Sequence, residues 1–214
     1  MTKPINRQIP KFLIALGVLI LLTGLIKEYY QYAGNRHIVK QNMIRGITPP
    51  STRKITPSEF DSYTVPANNP RYIFIPSIDV KAMVKPLGLT KNNQIQSPSN
   101  VYDAGWFKLS NLPGKPGAML VDGHISSWTS KGIFYNLKSL NIGQTIVIEK
   151  GDGIKIKYKV IRSKTYDASN VDMQALLNPV NPNKPGLNLI TCTGNVIKGT
   201  SEFDSRLIVF SELE

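Results

Sequence analysis

The first sustained hydrophobic feature is Phe12 to Ile26, FLIALGVLILLTGLI, an uncharged run preceded by Lys3, Arg7 and Lys11 and followed by Lys27, Tyr29, Tyr30 and Tyr32. It is shorter than the roughly 18 residues of a comfortable membrane span, but flanking tyrosines favour the interface and lysines snorkel. Residues 12–32 are therefore expected to form a single membrane anchor behind a basic tail, residues 1–11. A cleaved signal peptide is the alternative, although no small-x-small cleavage site follows the run. Arg36, Lys40 and Arg45 balance the basic residues ahead of it, so the positive-inside rule gives no orientation. From residue 33 to 70 apolar periodicity lapses among Gly34, Gly46, Pro49, Pro50, Pro57, Pro66 and Pro70, which predicts a juxtamembrane spacer.

A different pattern starts at Arg71. The run Arg71-Tyr72-Ile73-Phe74-Ile75 is interrupted by Pro76 and resumes at Ile78-Asp79-Val80; further short strands are expected at 82–84, 117–122, 145–149, 154–163, 187–191 and 207–211. Ile154, Ile156, Tyr158 and Val160 alternate with Lys155, Lys157 and Lys159, the pattern of a strand with one wet face entered through the turn Lys150-Gly151-Asp152-Gly153. Helical signals are confined to 134–140 and to 171–177, where Ser169 or Asn170 would cap the start and Pro179 closes the end. Residues 71–214 thus predict a mostly β domain, a closed sheet or barrel with short helices.

A formal charge of +12 implies an acidic neighbour such as anionic lipid or a polyanionic envelope. Nucleic acid gains no support, because no zinc-finger spacing, aromatic RNA-binding signature or recognition helix is present. The acidic residues Asp103, Asp122, Asp152, Asp167, Asp172, Glu202 and Asp204 are scattered without calcium-loop spacing, so no metal site or other cofactor is assigned. Trp106 and Trp128 are read as packed aromatics.

Chemistry concentrates near the C-terminus. Cys192 is the only cysteine, which rules out an internal disulfide, and it closes the strand-forming run Leu187-Asn188-Leu189-Ile190-Thr191. A lone cysteine is most often a small core hydrophobe. Its company argues otherwise: of two histidines, His37 lies beside the anchor, whereas His124 follows the strand Met119-Leu120-Val121-Asp122-Gly123, with the glycine expected to free the backbone for a turn. Arg206 opens the last strand fourteen positions after the cysteine, a spacing that an antiparallel hairpin would fold back beside the thiol. A histidine and a guanidinium are what a thiol needs to become a nucleophile and to stabilise an oxyanion. Unperturbed thiol and imidazole differ by about two pKa units, so on the order of one per cent of molecules would hold thiolate and imidazolium together at pH 7.

The order of Gly-His, then Thr-Cys ending a strand, then Arg opening the final strand resembles the sortases, membrane-anchored cysteine transpeptidases of bacterial surfaces. Arg71 to Ile78 is similar to that family's first barrel strand, and the segment from Val121 to Ile148 resembles the stretch around its histidine. Leu189-Ile190-Thr191-Cys192 corresponds to its TLxTC signature, with leucine in the first position. Ala104-Gly105-Trp106-Phe107 and Pro113-Gly114-Lys115-Pro116-Gly117 look most like class F, although Thr191-Cys192-Thr193-Gly194 stands where that subgroup commonly has TCGG. The resemblance implies an eight-stranded barrel on the outer face of the membrane. It also implies a two-step acyl transfer: Cys192 attacks the Thr–Gly bond of an LPxTG-like sorting signal on a surface protein, His124 protonates the departing amine, and Arg206 holds substrate or oxyanion. An amine, typically of a peptidoglycan precursor, resolves the thioester. Thr191 is a candidate for positioning substrate, and the loop 166–186 for shaping its preference. Some sortases use calcium, for which no site can be assigned here. Two other readings stay open at this level: another extracytoplasmic cysteine protease or acyltransferase, and a noncatalytic basic module that grips envelope polyanions.

Overall fold

The computed structural model describes residues 22–29 and 49–214. Residues 22–29 form a helix, α1, in one unit of the chain, and Pro49–Glu214 forms a second, compact unit. Among the described residues no helix is long and apolar enough to cross a membrane. Apart from 22–29, the anchor expected at 12–32 lies outside the described residues, as do 33–48 of the expected spacer.

Ahead of Arg71, a stretch the proline and glycine content reads as irregular holds a short helix, α2 (Pro57–Ser62). Its signal is local: Thr56 and Glu59 form a reciprocal capping box with Pro57 in the first turn. Tyr63 then donates its hydroxyl to the Val84 carbonyl at 2.8 Å, and Phe60 stacks on Tyr72 with ring centroids 4.3 Å apart.

The eight strands are β1 (Pro70–Ile75), β2 (Val80–Leu87), β3 (Ala104–Phe107), β4 (Ala118–Gly123), β5 (Thr145–Lys150), β6 (Lys155–Asp167), β7 (Gly186–Val196) and β8 (Phe203–Leu213). They close into a barrel in the order β1-β2-β3-β4-β7-β8-β6-β5. Two pairs, β2 with β3 and β4 with β7, are parallel and the others antiparallel. Pro76 does break the first sheet run: Pro76–Ile78 is a 3-10 turn, and Asp79 enters β2 in the left-handed region with φ 56°. Strand alternation is clearest in β6, where Lys155, Lys157 and Lys159 are exposed while Tyr158 and Val160 are buried. Inside the barrel, Ile73, Ile75, Ala82, Val84, Met119, Val121, Ile146, Ile148, Leu187, Leu189 and Val209 make one apolar core.

The structure corrects several element boundaries. The segment 134–140 contains only the 3-10 turn Leu137–Ser139, since Phe134 and Leu137 are needed as core plugs. The second expected helix shortens to α3 (Met173–Leu177), capped by Asp172 through its side chain on the Gln174 N–H at 2.8 Å rather than by Ser169 or Asn170. Both β7 and β8 run past the apolar stretches that announced them, so Cys192 sits within β7 and Arg206 is the fourth residue of β8.

Candidate active site

β4, β7 and β8 lie side by side, and their alternation sorts the candidates onto one surface. Met119 and Val121, Leu187 and Leu189, and Leu207 and Val209 point into the barrel. Leu120 and Asp122, Ile190 and Cys192, and Arg206, Ile208 and Phe210 therefore share the outer face. Leu120, Ile208 and Phe210 join Phe107 and Leu176 there in a second apolar cluster, with Ile190, Val171 and Leu177 packed against it. α3 is held over this floor by Asn188, whose Nδ2 donates to the carbonyls of Leu176 at 2.8 Å and Asn178 at 3.2 Å. The connection 166–186 is thus a wall beside the face that carries Cys192.

Register sets Cys192 opposite Arg206 and places the strand that leads into His124 alongside. Cys192 pairs directly with Arg206 across the antiparallel hairpin. On its other side the parallel ladder with β4 ends at Asp122, the register partner of Ile190, and His124 follows two residues later, just past the strand. The Arg206 guanidinium is tethered at one nitrogen, which donates to the carbonyls of Phe203 and Ser205, both at 2.9 Å.

Gly123 matters for space rather than for a turn. It lies within β4 and is not among the glycines with positive φ, but a Cβ there would sit 2.5 Å from the Phe134 ring. His124 is held beyond it at two points: its Nε2 donates to the Pro98 carbonyl at 2.8 Å, and its own carbonyl accepts from the Phe134 N–H at 3.0 Å.

Thr191 differs from its sequence expectation. Alternation turns its side chain inward, where it is 1% exposed and donates its hydroxyl to the Gly123 carbonyl at 2.7 Å. It ties the strand carrying Cys192 to the one leading into His124, and any influence on substrate passes through that tie. Trp106 is buried in the core with its indole N–H on the Asn111 carbonyl at 3.2 Å.

Charge at the site is mixed. Burial pushes the half-buried Cys192 thiol up, Arg206 pulls it down, and Asp122 and Glu202 push it up again. Asp122 is the residue the sequence reading missed, counted only among scattered acids, although it lies two positions before His124 at the end of β4. Burial pushes its carboxyl up, against the pull of His124, the Ser97 side chain, the Gly123 N–H and Arg206. Among the described residues no three His, Cys, Asp or Glu side chains cluster as a metal site. A thiol opposite a cation, beside the strand that leads into an imidazole and on a face with an apolar floor, is a set of groups suited to attack on an extended acyl substrate.

A family model described as Sortase domain matches residues 73–214. Among solved structures, sortase A from Corynebacterium diphtheriae, a lid mutant, superimposes with TM-score 0.53 at 21% identity, covering 87% of this chain and 95% of that one. Sortase C1 from Streptococcus suis gives 0.52 at 21% identity, covering 69% and 74%, and sortase C-1 from Actinomyces oris gives 0.51 at 22%, covering 67% and 72%. Among curated proteins no match was found.

Proposed function

The chain belongs to the sortase family, the cysteine transpeptidases, and from that premise we propose that it cleaves an LPxTG-like sorting signal through a thioester on Cys192 and transfers the surface protein to an amine of the cell wall. The observation that carries this reading is the direct pairing of Cys192 with Arg206 beside the strand that leads into His124, on a face floored by apolar side chains.

In the first half-reaction the Cys192 thiolate attacks the threonine carbonyl carbon, and Arg206 donates to the oxygen as negative charge develops on it. The C–N bond to glycine then breaks, and His124 delivers the proton that the departing amine requires. In the second, an incoming amine attacks the thioester, His124 takes its proton, and the thiolate leaves. Arg206 has donors to spare for this, because its two tethering bonds use one of its nitrogens. Burial works against the thiolate, so the reactive ion pair is expected to be a minor species and turnover to be slow. The proposed setting is single-pass, with residues 12–32 in the membrane and the barrel outside it. The partners are proteins bearing a sorting signal and a peptidoglycan precursor or another amine acceptor.

The test mixes the protein with a fluorogenic LPxTG peptide library and excess amine donor, beside Cys192→Ala and His124→Ala. Cleavage with transfer to the amine, lost in both variants, is expected. Cleavage without transfer would replace the transpeptidase by a hydrolase, and thioester chemistry surviving in Cys192→Ala would overturn the mechanism.

A further inference from the structure

One connection between barrel strands touches both the candidate active site and the start of the folded unit. Between β2 and β3, Pro98 accepts the His124 Nε2–H on its carbonyl at 2.8 Å, and the neighbouring Ser97 side chain helps to lower the Asp122 carboxyl. The next three residues are gripped from the other direction by the chain entering the unit. Ser51 and Asn100 form a parallel bridge, in which the Ser51 N–H donates to the Ser99 carbonyl at 2.7 Å and the Val101 N–H donates to the Ser51 carbonyl at 2.9 Å. The Asn100 Nδ2 donates to the Arg53 carbonyl at 2.8 Å while its Oδ1 accepts from the Tyr102 N–H at 3.0 Å. Asn100 is 7% exposed, so these bonds have little competition from water. Pro98 is itself buried.

We propose that residues Ser51 to Arg53 are positioning residues of the active site: by clamping Ser99 to Val101 they hold the Pro98 carbonyl against His124 and thereby fix which imidazole nitrogen carries out proton transfer. This deepens the proposed function and rests on its reading of His124. A carbonyl oxygen only accepts, so the nitrogen facing it carries the hydrogen. With Nε2–H engaged, Nδ1 is the nitrogen that takes and returns the proton during acyl transfer, and the bond also sets the plane of the ring. A histidine beyond the end of its strand has no ladder of its own to set that plane. The clamp supplies one from a part of the chain some seventy residues earlier, just after the stretch that leads from the expected membrane anchor. The barrel closes without this segment, because no barrel strand includes it. Its contribution therefore lies in the site more than in the sheet.

The experiment uses the full chain in a His37→Gln background, which leaves His124 as the only imidazole. Ser51→Pro removes the N–H given to Ser99 at an exposed position, Ser51→Ala keeps it, and Asn100→Asp loses the donor to Arg53 while keeping an oxygen for the Tyr102 N–H. Two readouts are taken: the nitrogen NMR shifts of the neutral imidazole, which distinguish its tautomers, and kcat and KM for a sorting-signal peptide with an amine donor. The parent protein and Ser51→Ala should show the Nε2-protonated tautomer. Ser51→Pro and Asn100→Asp should show a mixture of both tautomers and a kcat lower by about three- to tenfold, the scale of one lost hydrogen bond, with KM unchanged. If either readout stays at the parent's value in both variants while His124→Ala is inactive, the clamp is overturned. If His124→Ala retains transfer, the reading of His124 itself falls, whatever the tautomer shows.

Discussion

Cys192 and Arg206 are register partners across β7 and β8, so backbone pairing sets the arginine directly opposite the residue that carries the thiol. The tether to the Phe203 and Ser205 carbonyls limits the arginine's freedom further. Arg206 is also the one neighbour that lowers the thiol pKa against burial, Asp122 and Glu202.

Removing it should therefore raise the thiol pKa. In Arg206→Ala, alkylation of Cys192 by iodoacetamide should follow a pH profile displaced to higher pH, since less thiolate exists at any given pH. Turnover of a sorting-signal peptide should fall by about 10²- to 10³-fold if the guanidinium also serves the oxyanion. Arg206→Lys separates the two effects: it restores charge but not the fork of donors, so alkylation should recover more than turnover. An unchanged alkylation profile in Arg206→Ala would remove arginine from thiol activation.

Asp122 predicts the opposite sign. Its carboxylate disfavours the thiolate, so Asp122→Asn should lower the Cys192 pKa and quicken alkylation at neutral pH. The measurement is the same profile, and a shift to higher pH would show that Asp122 acts on the thiol chiefly by holding His124 and Arg206 in place.

The distribution of what the sequence made legible has a physical basis. Core strands announced themselves because both faces or alternate positions are apolar, and the spacing from Cys192 to Arg206 implied a hairpin that the register realises. Missed features depended on tertiary partners. β3 holds four residues, Ala104–Phe107, too few to show a period, and α2 is stabilised by a capping box and by packing on Tyr72. Thr191 adjoins Cys192, but alternation sends neighbours to opposite faces, and its hydroxyl donates to the Gly123 carbonyl, a tertiary tie that sequence adjacency does not announce. The bond from His124 to Pro98 spans 26 positions and joins an imidazole to a backbone carbonyl, which no residue pattern encodes.

Gly123 offers a test of how tightly the approach to His124 is packed. A methyl group there would meet the Phe134 ring at 2.5 and 2.8 Å. Phe134 is fully buried and cannot swing aside, so Gly123→Ala should cost about 1–3 kcal/mol in denaturant unfolding. Turnover should fall as well, because the strain is released next to His124. Adding Phe134→Leu vacates part of the ring's volume, and the double variant should be less unstable than the sum of the two single changes. Simple additivity would mean that the glycine is not needed for space.

Asp103 gives the last prediction, a dependence of stability on pH. It is 5% exposed, and its Oδ1 has no hydrogen-bond partner. Burial pushes its carboxyl above the ordinary 3.8, and the charges of Lys85 and Arg53 offset this only in part. The folded protein therefore holds the Asp103 proton more tightly than the unfolded chain does. Below about pH 3.8 both states are protonated and the group's contribution is fully present; as pH rises through the folded-state value, that contribution is lost. Asp103→Asn removes the charge without changing the shape. It should raise the guanidinium midpoint at pH 7, with the advantage shrinking toward nothing as the pH is lowered to about 3. Equal midpoints at pH 7, or an advantage that grows in acid, would mean that Lys85 and Arg53 stabilise the ionised carboxylate more than burial opposes it.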